Sequence, residues 1–175
     1  MIRTLLLALF TAALTLAIYL FFYLGFYKPV DIAVADRPEL KLLFKPHMGA
    51  YHFIGPVIRE VEAWSAQNHV ACDKTFGEYI DDPASVDQDR LRSRGGCLVN
   101  GPVMSAPADF QYETRPARKY VVAHFSGSPS IGPFKVYPKV RDYFEKQKLK
   151  SSQPVIEVYT VHDNSVDTEF LFPLD

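Results

Sequence analysis

Apolar and polar positions divide this chain into a continuous apolar run and a series of short patterned stretches. The continuous run extends from Leu5 to Tyr27 and holds no Asp, Glu, Lys or Arg. A helix of that length, at about 1.5 Å rise per residue, spans roughly 33 Å, enough for a hydrocarbon core of about 30 Å. Tyr19, Tyr23 and Tyr27 crowd its C-terminal end, as aromatics do at a membrane interface. A cleaved signal peptide has an apolar core of about 7–15 residues followed by small residues. This run is longer and ends in Phe26-Tyr27-Lys28-Pro29. The pattern predicts a retained single-pass anchor over residues 1–28. Its orientation stays open. Lys28, Arg37 and Lys41 after the run mildly favour a cytoplasmic soluble part, whereas insertion with Arg3 inside puts it on the other side.

The patterned stretches come in two similar series. Residues 29–39, bracketed by Pro29 and Pro38, read as a linker. Leu40 to Lys45 reads as a strand, Pro46 to Gly49 as a turn, and Gly55-Pro56 as a helix start, since proline suits the first helical turn. Val57, Val61 and Trp64 follow at i, i+4 and i+7, one apolar stripe. Lys74 to Ile80 is a strand closed by the turn residues Asp81-Asp82-Pro83. Ala84 to Arg94 reads as a loop and Gly95 to Val99 as a strand. The second series has a strand over Arg118 to Phe125 and a helix start at Ile131-Gly132-Pro133. Val136, Val140 and Tyr143 keep the helical spacing, with Pro138 either starting the regular part or kinking it. A strand over Val155 to Val161, a hairpin turn at His162 to Ser165 and a strand from Thr168 to Pro173 complete it. His47-Met48-Gly49-Ala50-Tyr51-His52-Phe53-Ile54-Gly55-Pro56 and His124-Phe125-Ser126-Gly127-Ser128-Pro129-Ser130-Ile131-Gly132-Pro133 mark corresponding points. The expectation is an α+β fold. Duplicated strand-helix-strand-strand halves form an antiparallel sheet with two helices on one face, over residues 40–175, preceded by one transmembrane helix.

Composition narrows the function classes. The net charge is −1, with 48% hydrophobic and 22% charged residues, and gives no electrostatic reason to expect nucleic acid. The enrichment is aromatic, 13 Phe and 10 Tyr, most of which fill a core while some line a ligand cavity. Cys72 and Cys97 lack metal spacing and read as buried thiols rather than as a disulfide. No motif for a metal, a nucleotide cofactor or a catalytic nucleophile is present.

The order of these motifs resembles the GyrI-like, or effector-binding, superfamily, which is related to the SOUL proteins. The resemblance runs from about Leu40 to Pro173. Lys45-Pro46-His47-Met48-Gly49-Ala50-Tyr51 and Tyr79-Ile80-Asp81-Asp82-Pro83 are more specifically similar to its membrane-anchored branch, which contains the animal testis-expressed endoplasmic-reticulum autophagy receptor. The resemblance implies a small-molecule cleft between the halves, with a carboxylate on the last strand facing cationic ligands. The matching position is Glu169, which alternation places on one face with Leu171 and Pro173. Tyr159 and Tyr79 occupy corresponding strands and are candidate cleft walls, and Tyr51 a candidate rim residue, because a phenol offers both apolar area and a hydroxyl. The resulting expectation is a membrane-tethered binding module for a small apolar or cationic molecule, without cofactor or metal. The rivals are a hydrolase of reactive small molecules in the same cleft and a membrane-tethered protein-interaction scaffold.

Overall fold

The computed structural model describes residues 2–103, 105–151, 154–162 and 165–175. The apolar run forms helix α1, Ile2–Leu24. The rest runs β1 Asp31–Arg37, β2 Leu40–Met48, α2 Ile54–Gln67, β3 Lys74–Tyr79, β4 Arg92–Leu98, β5 Gln111–Arg115, β6 Arg118–Phe125, α3 Gly132–Gln147, β7 Val155–His162 and β8 Ser165–Pro173. All eight strands pair antiparallel in one sheet, in the order β1-β6-β8-β7-β3-β4-β2-β5. The duplication is visible in that order. The units β3-β4-β2 and β7-β8-β6 have the same internal arrangement and meet at the β3–β7 ladder. The turn expected at Asp163 and Asn164 lies outside the described residues.

Two strands depart from the sequence expectation. The supposed linker contains β1, which pairs along its whole length with β6 of the second half. β5 precedes the second half in sequence but pairs with β2 of the first. Each half is thus finished by a strand drawn from before the other. Both are edge strands, and edge strands carry exposed polar residues that mask the strand signal. Asp31 and Asp36, and Gln111 and Thr114, are such residues. β4 also starts earlier than expected, taking Arg92 and Arg94 out of the predicted loop.

Helices α2 and α3 cover one face. α2 buries Ile54, Ile58, Val61 and Ser65, while Val57 and Trp64 flank that stripe. Val61 packs with Leu43 and Cys97, and Trp64 packs edge-on to Phe110 at 5.6 Å. Gly95 lets α2 sit close to the sheet, because an added Cβ would come within 2.8 Å of Ile58. α3 lays Val136 and Val140 on Val121, Phe125, Phe170 and Phe172, and runs through Pro138 rather than starting there. Each fully buried side chain of this kind is worth about 1.5–3 kcal/mol. Among the described residues the opposite face has no helix. The sheet curls, and Leu42, Phe44, Phe76, Tyr120, Ile156 and Leu171 pack against one another.

Cys72 and Cys97 form a disulfide, not the pair of free thiols expected. Their spacing of 25 residues hides the pairing in sequence; α2 and the turn after it bring Cys72 back over β4. α1 buries none of its residues, but its end is tied to the second half. The Ser128 amide donates to the Leu24 carbonyl at 3.0 Å, and the Lys135 ammonium donates to the carbonyls of Phe26 at 2.6 Å and Lys28.

Candidate functional site

The site is built where the two halves meet, on the helix-covered face. Val155-Ile156-Glu157-Val158-Tyr159 is rich in β-branched residues and forms the central strand β7. Alternation sends Ile156 and Val158 to the curled face, and Val155, Glu157 and Tyr159 toward the helices. Glu157 is 3% exposed. The Tyr137 hydroxyl, from α3, donates to one of its oxygens at 3.1 Å, and the Tyr159 hydroxyl donates to the other at 3.0 Å. A phenol has one proton, so with Tyr159 committed to Glu157, Tyr79 is the donor in the 3.0 Å Tyr79–Tyr159 contact. The Tyr51 ring stands edge-on to Tyr79 with centroids 4.9 Å apart, and its own hydroxyl bridges the Asp81 carbonyl and amide.

Gly77 lies directly opposite Glu157 in the β3–β7 ladder, two residues before Tyr79 as Glu157 stands two before Tyr159. A Cβ at Gly77 would lie 2.9 Å from the Tyr79 hydroxyl. Glycine there lets the Tyr79 ring fold back along β3 and reach Tyr159. Across the pseudo-symmetric ladder one half therefore supplies an acid and the other the room that a folded-back phenol fills.

The electrostatics of this group are unbalanced. Burial pushes the Glu157 carboxyl up to about 7, against the Tyr159 and Tyr137 hydrogen bonds that favour its charged form. Burial and the neighbouring carboxylate drive Tyr159, Tyr79 and Tyr137 upward as well, so the phenols stay protonated. Among the described residues no Lys, Arg or His side chain pairs with Glu157.

The sequence-derived candidates divide between two places. Tyr51, Tyr79 and Tyr159 come together around Glu157. Glu169 does not join them. It pairs with Val158 across β7–β8 and shares the curled face with Leu171. There it forms ion pairs with Arg37 and, at 3.7 Å, with Lys74. These residues rim an open cleft of about 160 Å³ floored by Leu40, Leu98, Val158 and Leu171. Glu157 was not among the residues expected from sequence; Glu169 was. A signal was present: a lone carboxylate inside an otherwise apolar β-branched run must be buried on one face of its strand.

Comparison with known proteins gives the class first. Thirty chains of known structure share the fold, and those named below are all under 15% identical. The C-terminal domain of EcmrR superposes with a TM-score of 0.67 at 13% identity, covering 83% of this chain and 98% of that one. The chain spans 57% of EcmrR as seen in its complex with DNA. SAV2435 bound to tetraphenylphosphonium superposes with a TM-score of 0.56 at 14% identity, over 83% of this chain and 94% of that one. A hydrolase encoded by lin2189 of Listeria innocua gives 0.54 at 11%, over 83% and 92%. Residues 31–175 match the model of the GyrI-like small molecule binding domain, and the chain belongs to that family. No curated protein sequence matches it, so the comparisons reach the family and not the autophagy-receptor branch.

Proposed function

We propose that the seam around Glu157 binds a lipophilic organic cation, with Glu157 as counter-ion and Tyr51, Tyr79, Tyr137 and Tyr159 as aromatic walls. The observation that carries this is a buried carboxylate held by two phenols and by no protein cation. A buried charge is costly unless paired, and here the proton or a ligand supplies the pair. Aromatic faces also attract cations directly. The tetraphenylphosphonium bound to SAV2435 is a molecule of this chemical class. Binding of tetraphenylphosphonium to the full chain in detergent, measured by calorimetry, tests the reading. Glu157→Gln is expected to weaken it about a hundredfold, the loss of one desolvated ion pair worth about 3 kcal/mol. Equal affinities would overturn the role of Glu157.

We also read α1 as a membrane anchor. Ile2–Leu24 is long and apolar enough to cross a bilayer. The hydroxyls of Thr11 and Thr15 are bonded to carbonyls one turn back, as a helix in lipid requires. The Cys72–Cys97 disulfide supports an oxidising compartment for the domain, hence insertion with Arg3 on the cytosolic side. Alkylation of intact cells with a membrane-permeant maleimide checks this. Both cysteines should resist labelling until reductant is added; labelling without reductant would reverse the topology.

A further inference from the structure

The helix-covered face holds a second group of polar atoms beside the tyrosines that the binding of a cation leaves unused. His47, on β2, and Ser93, on β4, are directly opposite one another in the β2–β4 ladder. Ser93 is in turn directly opposite Tyr79 in β4–β3. Lys45 on the same side of β2 reaches Glu60 of α2, which fixes His47 and Ser93 on the helix face. Ser93 is 1% exposed. Its hydroxyl and the His47 Nε2 are both buried without a hydrogen-bond partner. Side chains directly opposite in an antiparallel pair have Cβ atoms about 4.5–5.5 Å apart. These two do not bond each other, and the register keeps both at the same end of the seam. A buried polar atom without a partner costs about 1–3 kcal/mol, so two on directly opposite residues favour a hydrogen-bonding group brought in by a ligand. Among the described residues the helix face of the other half has one such atom. Thr168, opposite Tyr159, is likewise buried and unpartnered, but its other neighbour is Phe125.

We propose that His47 and Ser93 form a polar subsite at the first-half end of the seam, which receives a hydroxyl or amide arm of the bound ligand. A hydroxyl both donates and accepts, so it satisfies the serine and either tautomer of the histidine. Ser93 lies two strand spacings and two residues from Glu157 in register, about 12 Å between Cα atoms. Tyr79 and Tyr51 line the interval. The ligand class this defines is an aromatic cation with a neutral hydrogen-bonding arm, a deepening that rests on the seam binding cations.

The test compares two probes on the full chain in detergent: tetraphenylphosphonium, and its hydroxylated analogues (3- and 4-hydroxyphenyl)triphenylphosphonium. At least one hydroxylated compound is expected to bind the wild type about tenfold tighter, one hydrogen bond's worth. Ser93→Ala, and Ser93→Ala with His47→Phe, should abolish that preference while leaving tetraphenylphosphonium affinity within about twofold. Because no internal bond is lost, Ser93→Ala should melt at or above the wild-type temperature. Equal affinity of the wild type for all probes would overturn the subsite, and so would a preference that survives the double substitution. A lowered melting temperature of Ser93→Ala would overturn it too, by showing the hydroxyl bonded within the fold. If tetraphenylphosphonium binding is unaffected by Glu157→Gln, the cation reading fails by itself. If no probe binds, both fall.

Discussion

Two buried glutamates lie one strand apart on opposite faces of this sheet, and they are treated in opposite ways. Glu78, on β3, is fully buried and accepts from Arg94 at 3.1 Å and from Arg115 at 3.0 Å. Glu113 joins the same arginines, so the group is a closed four-residue network. Glu157, on β7, faces phenols only. Burial raises both carboxyls, but at Glu78 the arginines oppose that rise, while at Glu157 hydroxyls alone do. The first pattern holds a fold together. The second leaves a charge for something outside the chain to complete, which is what makes the seam the candidate site.

The largest expected effect breaks the comparison on the Glu78 side. Replacing both arginines, Arg94→Met with Arg115→Met, leaves a buried carboxylate without a cation and should cost about 3–5 kcal/mol of stability. Denaturant unfolding at neutral pH measures it. Glu157→Gln, by contrast, removes an unpaired buried acid and should not lower stability at pH 7. If the two variants lose similar amounts, Glu157 is structural after all.

A pH series sharpens the same contrast. The Glu157 carboxyl is pushed up to about 7 in the fold from 4.5, so between those values the folded state holds a proton the unfolded chain releases. Stability is therefore greatest below about pH 4.5 as far as this group is concerned. It declines as pH rises to about 7, by about 3 kcal/mol in all, and is flat above. Glu157→Gln should remove that decline. Cation binding has the opposite slope, because the ligand needs the carboxylate. Tetraphenylphosphonium affinity should rise about tenfold per pH unit up to about 7 and level off above it. An affinity flat from pH 5 to 8 would remove the carboxylate from the binding step.

The sequence and the structure agree where local pattern decides and part where distant pairing does. The Ile-Gly-Pro helix starts, both helices and the six strands of the duplicated halves are legible from spacing and turn chemistry. β1 and β5 are not, because each owes its strand state to a neighbour far along the chain, β6 for Asp31–Arg37 and β2 for Gln111–Arg115. The disulfide was hidden for the same reason. Tyr79 and Tyr159 are legible as a pair because the repeat aligns their strands, and Tyr51 because it follows the Gly49 turn. Glu157 becomes legible only when alternation is applied to β7 as well as to β8: Val-Ile-Glu-Val-Tyr puts the acid and the phenol on one face.

The smallest effect concerns Glu169, the acid first suggested by the last strand. Its ion pairs with Arg37 and Lys74 are partly exposed, with side chains 30%, 26% and 45% accessible for Arg37, Glu169 and Lys74. Exposed pairs of this kind are worth about 0–1 kcal/mol. Two cations already answer its one charge, so the curled face offers an incoming cation no unpaired carboxylate. Glu169→Gln should shift stability by less than about 1 kcal/mol, and tetraphenylphosphonium affinity should stay within about twofold of the wild type. Calorimetry beside Glu157→Gln separates the two acids in one experiment. If Glu169→Gln lowers affinity as far as Glu157→Gln does, the ligand reaches the curled face. The cleft ringed by Arg37, Lys74 and Glu169 would then replace the tyrosine seam as the site.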